Sequence, residues 1–484
     1  MRFKFVVPTI LVLLVCFACK TGPKKGKVTK IDTANAKEFL IQNDVTTSND
    51  GFLLKNQNAG ITSKFKIRNF EFSAKVKTTS GAESVLVFAS PEVSVPDKGY
   101  MVKINNSDYR VGSPQKTGSL SKIRNNFVRT ADDNEWFNLS VIVKGNHIKV
   151  IVNNKVTSEY TEPDNLKRPA ELADHVLSNG FLSIRKSNAE GELLIGEITI
   201  LPLEDHLKTA IVVYNAEPDS LMKVVDLLNQ QEFPLIDFHG HLKGGLTMDQ
   251  ACQHARDNGY NYGIAANCGL KFPVTNDSTL NAYLDGISNE PVFKVMQCEG
   301  REWVTLFSPT AVARFDYIFT DAMTWTDYKG RRLRLWLPDE TFVDDEQQFM
   351  DMLVGKIESI IGNEPVDIYV NPTFLPAKIA ANYDRLWTPE RMDRVIKVLK
   401  NNDVALEINA RYKIPGIAFL KRAKEAGVKF TFGTNNTSNN DLGRLEYCLK
   451  AIHELGLTAG DIFLPRPSKD KKVMKSGLPS KITG

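Results

Sequence analysis

The chemistry of this chain is concentrated in Leu235-Ile236-Asp237-Phe238-His239-Gly240-His241-Leu242. An apolar lead-in runs into Asp-x-His-x-His and stops at Lys243-Gly244-Gly245. Residues two apart share one face of a strand, so the pattern predicts that Asp237, His239 and His241 project together from a strand end. Two imidazoles and a carboxylate form a donor set for a divalent transition metal. The chain holds seven His, and two of them are placed here. The plainer alternative is three polar side chains that only hydrogen-bond, each needing its own partner if buried.

The surrounding pattern must position that stretch. From 234 to 470, short apolar runs alternate with amphipathic ones. Strands are predicted at 235–238, 262–266, 292–296, 317–320, 366–370, 405–408 and 429–433, with helices over 247–258, 343–361, 388–401, 415–426 and 441–454. Thr247 suits a helix N-cap and Gly259 a helix stop. Such alternation predicts a parallel (β/α)7-type barrel, whose chemistry sits at the C-terminal strand ends. Polar residues recur there: Asn267 and Cys268, then Cys298-Glu299-Gly300-Arg301-Glu302, Asp321, Asn371, Glu407 with Asn409 and Arg411, and Thr434-Asn435-Asn436. Convergence of this kind marks a site more strongly than any single motif.

The order of these residues resembles the polymerase-and-histidinol-phosphatase family of metal-dependent phosphoesterases. That family's His-x-His is matched by His239 and His241, its Gly-x-Glu by Gly300-Arg301-Glu302, and its later Glu near an Asn by Glu407 and Asn409. Several family histidines are replaced, giving Ala265-Ala266-Asn267, Asp321, Asn371-Pro372 and Thr434-Asn435-Asn436-Thr437. The resemblance implies a metal-dependent hydrolase holding one or two divalent ions (Zn, Mn or Fe). The expected metal ligands are Asp237, His239, His241, Glu302, Asp321 and Glu407. Asp321 or Glu407 would act as general base, and Arg301 or Arg411 would fix a polar or anionic substrate group.

Residues 34–204 read differently. Phe70 to Lys77, Leu139 to Lys144 and His147 to Val152 alternate in a period of two, and Asn153-Asn154 suits a tight hairpin turn. Many strands with polar turns predict an all-β jelly-roll sandwich. Gly99 to Ile104, Thr117 to Leu120, Asn134 to Asn138, Gly145-Asn146-His147 and Gly196 to Leu203 follow in an order that resembles the 3-keto-disaccharide hydrolase domain. This implies carbohydrate recognition and, in some members, cleavage of 3-keto-glycosides. The family's Asn-Ser-Gly element is here Gly81-Ala82-Glu83-Ser84. Tyr100 and Trp136 are candidate sugar-stacking rings, with Trp136 expected in the core instead and His147 expected to be exposed and unengaged.

The remaining segments set the context. Arg2 and Lys4, an apolar run and Cys16-Phe17-Ala18-Cys19 resemble a bacterial lipoprotein signal over 1–19, with lipid on Cys19. A plain secretory signal is the alternative. Residues 20–33 read as a linker, 205–233 as a helical connector and 471–484 as a tail. The expected location is therefore the cell envelope. Cys252, Cys268, Cys298 and Cys448 lack CxxC spacing, so both pairing and buried free thiols are open. A net charge of +4 over 484 residues, with no basic aromatic-interleaved stretch, argues against a nucleic-acid partner. Three readings follow. One is a tethered metal-dependent hydrolase with a carbohydrate-recognising jelly roll. The second is an enzyme acting on 3-keto-glycosides through the jelly roll. The third is a non-catalytic glycan-binding lipoprotein with a degenerate barrel.

Overall fold

The computed structural model describes residues 29–31, 37–92, 98–204 and 220–482. The expected signal over 1–19, most of the linker and part of the connector lie outside the described residues. No helix among the described residues is long and apolar enough to cross a membrane.

The first module is a sheet-rich, jelly-roll-like sandwich. One sheet runs Lys155–Thr161, His147–Val152, Phe137–Lys144, Phe70–Thr78, Leu193–Pro202, Gly51–Leu54 and Thr46–Ser48, with Thr29–Ile31 also pairing Leu193–Pro202. The other runs Phe39–Gln42, Gly60–Ser63, Phe181–Lys186, Ser84–Ser90 and Tyr100–Ile104. Phe70–Thr78 alternates between buried and more exposed positions along its length, as a sheet with one buried face requires. Phe70, Phe72, Leu139 and Val141 meet Leu86, Phe88 and Val102 in the sandwich core. Asn153 and Asn154 both adopt positive φ, at 47° and 67°, in the predicted tight turn.

The second module is a closed barrel of seven parallel strands. In chain order they are β1 (Ile236–Gly240), β2 (Asn261–Cys268), β3 (Phe293–Cys298), β4 (Tyr317–Thr320), β5 (Ile368–Tyr369), β6 (Ala405–Asn409) and β7 (Phe430–Gly433). Thr247 accepts from the Gln250 N–H in a capping box, and Gly259 ends the helix Met248–Asn258 in the left-handed region. Helix Asp277–Gly286 and a short hairpin, Thr324–Thr326 with Arg332–Arg334, were not legible from pattern alone.

The two modules share one core. Phe127 and Val128, from the jelly-roll loop after Tyr100–Ile104, belong to the barrel's apolar cluster. Phe127 donates its N–H to Asn261 Oδ1 at 3.0 Å, and Asn261 Nδ2 donates to the Asn125 carbonyl at 2.9 Å. Asn125 in turn donates its N–H and Nδ2 to Asn229 Oδ1 and O at 3.0 and 2.7 Å. Tyr109 packs on Phe293, with ring centroids 6.3 Å apart. Asn261 and Phe293 open their strands, so the jelly roll closes the N-terminal end of the barrel. The C-terminal end is left as the mouth.

Three jelly-roll expectations are corrected. Trp136 is 44% exposed and lies beneath Lys77 Nζ at 5.3 Å, whereas Tyr100 is fully buried and cannot stack on a ligand. Trp136 precedes its strand and spreads over Gly196, where no side chain lifts it into the core. His147 is engaged, with Nδ1 2.9 Å from Thr161 Oγ1 and Nε2 2.9 Å from Glu159. The four described cysteines are free and buried.

Candidate active site at the barrel mouth

β1 carries His239 and His241 into the buried centre of the mouth, with ring centroids 5.2 Å apart. His239 Nδ1 lies 2.6 Å from Glu407 Oε1 on β6, and His241 Nδ1 lies 3.2 Å from the Ala265 carbonyl on β2. Both contacts place the proton on Nδ1. Each Nε2 points away from that contact, and both are buried without a hydrogen-bond partner. Burial first, then the neighbouring His239, pushes the His241 pKa well below the ordinary range, so the ring is neutral. A buried orphaned nitrogen carries a desolvation cost that a ligand would relieve. Imidazole nitrogens of this kind are a donor type that divalent transition metals take. Among the described residues, however, no group of three His, Cys, Asp or Glu side chains is arranged to hold one.

The four expected carboxylate ligands are placed differently from one another. Asp237 is not free to join the histidines. It accepts from the His239 and Thr434 N–H groups at 3.1 and 3.0 Å and from Thr434 Oγ1 at 2.5 Å. The β1–β2 ladder shifts register between Asp237 and Gly240, inside the motif, which undoes the shared-face expectation. Glu407 turns one oxygen to His239 Nδ1. Its second oxygen accepts from the Asn371 N–H at 2.6 Å and from Asn409 Nδ2 at 3.0 Å. A carboxylate on the far nitrogen of a metal-facing histidine fixes its tautomer.

Glu302 is outside the site. It lies in the short 3-10 turn Glu302–Thr305 and pairs with Arg332, which holds its carboxyl below the usual range. Arg301 is also structural, 4% exposed and bidentate to Glu364 at 2.9 and 3.0 Å.

Glu299 takes the place expected for Glu302. With Gln297, two residues earlier on β3, it lines a cavity of about 430 Å³ in the mouth. Asn267 Nδ2 donates to Glu299 Oε1 at 2.6 Å. Burial, then the charge of Asp321, raises the Glu299 pKa, and burial raises that of Asp321. Asp321 accepts from the Met323 N–H at 3.0 Å and from Asn371 Nδ2 at 3.1 Å, and it lines the same cavity. The sequence signal for Glu299 was parity, since residues 297 and 299 share a strand face whereas 302 does not.

The two imidazoles lie behind the cavity wall, linked to it through Glu407, Asn371 and Asp321. Asn371 also accepts from Asn409 and Asn435 Nδ2, both at 3.0 Å. Its φ of 47° and the φ of 59° at Thr373 are left-handed. Asn tolerates that region, but it is an outlier for a β-branched residue such as Thr373, and such outliers cluster at functional sites. Arg411 stands exposed at the rim, its guanidinium on the Asn435 carbonyl at 3.3 Å and over the Tyr412 ring.

Comparison with known proteins bears mainly on the first module. The model of the 3-keto-alpha-glucoside-1,2-lyase-like domain family matches residues 25–193, well under half of the chain. No curated protein matches the sequence. Among solved structures, a candidate glycosyl hydrolase from Parabacteroides distasonis aligns over 37% of this chain and 100% of its own, at 18% identity and a TM-score of 0.32. A carbohydrate-binding module from Bacillus subtilis aligns over 34% and 95%, at 12% identity and a TM-score of 0.25. A histidinol phosphate phosphatase from Lactococcus lactis, complexed with zinc, L-histidinol and phosphate, aligns over 47% and 95%, at 14% identity and a TM-score of 0.33. The chain thus carries a 3-keto-alpha-glucoside-1,2-lyase-like domain, followed by a closed seven-stranded parallel barrel.

Proposed function

We propose that this chain is an exported, membrane-tethered, metal-dependent hydrolase. Its reaction takes place in the barrel mouth, and its jelly roll recognises carbohydrate. The observation that carries the reading is the pair of buried Nε2 atoms of His239 and His241, neither with a partner. They would hold the ion, with Glu407 and the Ala265 carbonyl fixing both tautomers. A divalent ion bound there supplies a water acidic enough to ionise near neutral pH.

The chain's own residues do the rest. Glu299 and Asp321, buried and mutually repelling, retain a proton more readily than isolated carboxylates and can pass it to a leaving oxygen. Arg411 at the rim meets polar groups of the incoming substrate. Tethering through lipid on Cys19 is part of this reading and rests on the N-terminal sequence.

Metal analysis of the purified protein, followed by hydrolysis assays, tests the reading. Near-stoichiometric Zn, Mn or Fe that is lost in His239→Ala supports it. A metal-free protein whose activity ignores that substitution refutes it. A second reading, favoured by the family match over 25–193, places cleavage of 3-keto-glycosides in the jelly roll. Activity that survives His239→Ala together with Glu299→Gln would select it.

A further inference from the structure

The lining of the barrel cavity specifies more than a hydrolase. Gln297, Asn371 and Asn435 line it; Asn371 spends its side-chain oxygen on Asn409 and Asn435 and its amino group on Asp321, which leaves Gln297 and Asn435 to a ligand. Gln297 Oε1 is held by Asn267 Nδ2 at 3.1 Å, which leaves its amino group to the cavity. A carboxamide both donates and accepts, as a hydroxyl does, so a set of them matches a polyol better than a uniformly anionic group. The rim adds apolar rings. Trp336, 40% exposed, is carried over the cavity by the segment after the Arg332–Arg334 strand. Phe374 and Tyr412, edge to face at 5.0 Å, line the same cavity. Amphipathic faces beside converging polar groups are how a ring bearing hydroxyls is gripped.

The charges point the same way. Of the lining cations, Lys378 is committed to the Thr341 carbonyl at 2.7 Å and Arg411 leans on Asn435. The lining carboxylates are Glu299 and Asp321. Those two cations balance the two acids, so apart from any metal the lining offers a phosphate dianion no excess of positive charge.

We infer that the barrel cavity takes a neutral polyhydroxylated ring, a saccharide unit, with an apolar face on Trp336 and its hydroxyls on the Gln297 amino group and the Asn435 side-chain oxygen, rather than a phosphomonoester. The inference rests on the barrel mouth being the reactive centre.

Binding is tested apart from turnover. The full chain is titrated by calorimetry with neutral methyl pyranosides, trehalose, sucrose, cellobiose and lactose. Inorganic phosphate, glucose 6-phosphate and p-nitrophenyl phosphate form the opposing arm. The expected result is binding of at least one neutral sugar, weakened about tenfold by Trp336→Ala and by Gln297→Ala, and unchanged by Trp136→Ala on the jelly roll. Failure of every neutral sugar, tighter binding of any phosphate probe, or sugar binding that follows Trp136 instead of Trp336 overturns the inference. A sugar bound through Trp336 but never cleaved supports it and refutes the hydrolase reading instead.

Discussion

At the floor of the barrel, Asn125, Asn229 and Asn261 are bound to one another and to Phe127, and aromatic rings fill the space between. At the mouth, β1 ends in two histidines that each keep a buried nitrogen unpartnered. Both ends are polar and shielded from water. The difference lies in satisfaction. Fully paired amides weld two modules together, whereas unpaired nitrogens leave a place for something else. The jelly roll therefore serves the barrel as its floor, whatever else it binds.

The largest expected effect strikes the mouth. His239→Ala should remove bound metal and lower turnover by at least about 10³-fold, the several kcal/mol that a metal contributes to charge stabilisation. Elemental analysis beside a rate measurement checks both. Phe127→Ala should do the reverse. Loss of a ring 1% exposed in the shared core should cost about 3–5 kcal/mol in denaturant unfolding while metal content stays constant. If metal is lost as well, the two ends are not separable.

A third test concerns a histidine that is unpartnered without being at the mouth. His175 is 3% exposed and neither ring nitrogen has a partner. Burial, then Arg168 and Lys122, lowers its pKa to about 4 against the opposing pull of Asp174, with the Tyr100 ring edge-on at 5.8 Å. Its folded pKa lies below its unfolded one, so below about pH 6.5 the unfolded chain binds the proton first. Stability is complete above that pH and should fall by up to about 3 kcal/mol as pH drops toward 4. In His175→Leu that slope should flatten in acid denaturation curves. A slope that persists assigns the acid sensitivity elsewhere.

Smaller effects separate orienting groups from bystanders. Glu407→Gln should weaken metal affinity or activity about 10–100-fold, measured by chelator competition. Glu302→Gln should leave metal content and rate unchanged and cost at most about 1 kcal/mol, because its pair with Arg332 is at the surface.

The barrel was legible because buried strands and amphipathic helices alternate, and each change of period is visible in the residues. Thr247 and Gly259 announced their helix ends by side-chain chemistry. The hairpin that carries Trp336 to the rim has strands of three residues, too short to show a period. Helix Asp277–Gly286 fully buries only Leu280 and Leu284, with Tyr283 packed partly buried beside them. Glu302 was preferred to Glu299 because a spacing motif outweighed strand parity. That Glu407 grips an imidazole, and that Asp237 braces a neighbouring strand, depends on where β6 and β7 pass. No local pattern encodes that path.

The bracing of Asp237 bears on how the barrel assembles. Strands β1 and β7 share one register pair, Asp237 with Phe432, and the carboxylate's grip on Thr434 supplements that thin ladder across 197 residues of sequence. Contacts so distant along the chain require costly loop closure and form after local ones. His239, next to this seam, meets Glu407 only when the ring is complete. A barrel lacking its last turn of chain would hold the motif but not the oriented imidazoles. Any ion that prefers the oriented pair then favours ring closure by mass action, so maturation of the fold and loading of the site are one coupled equilibrium.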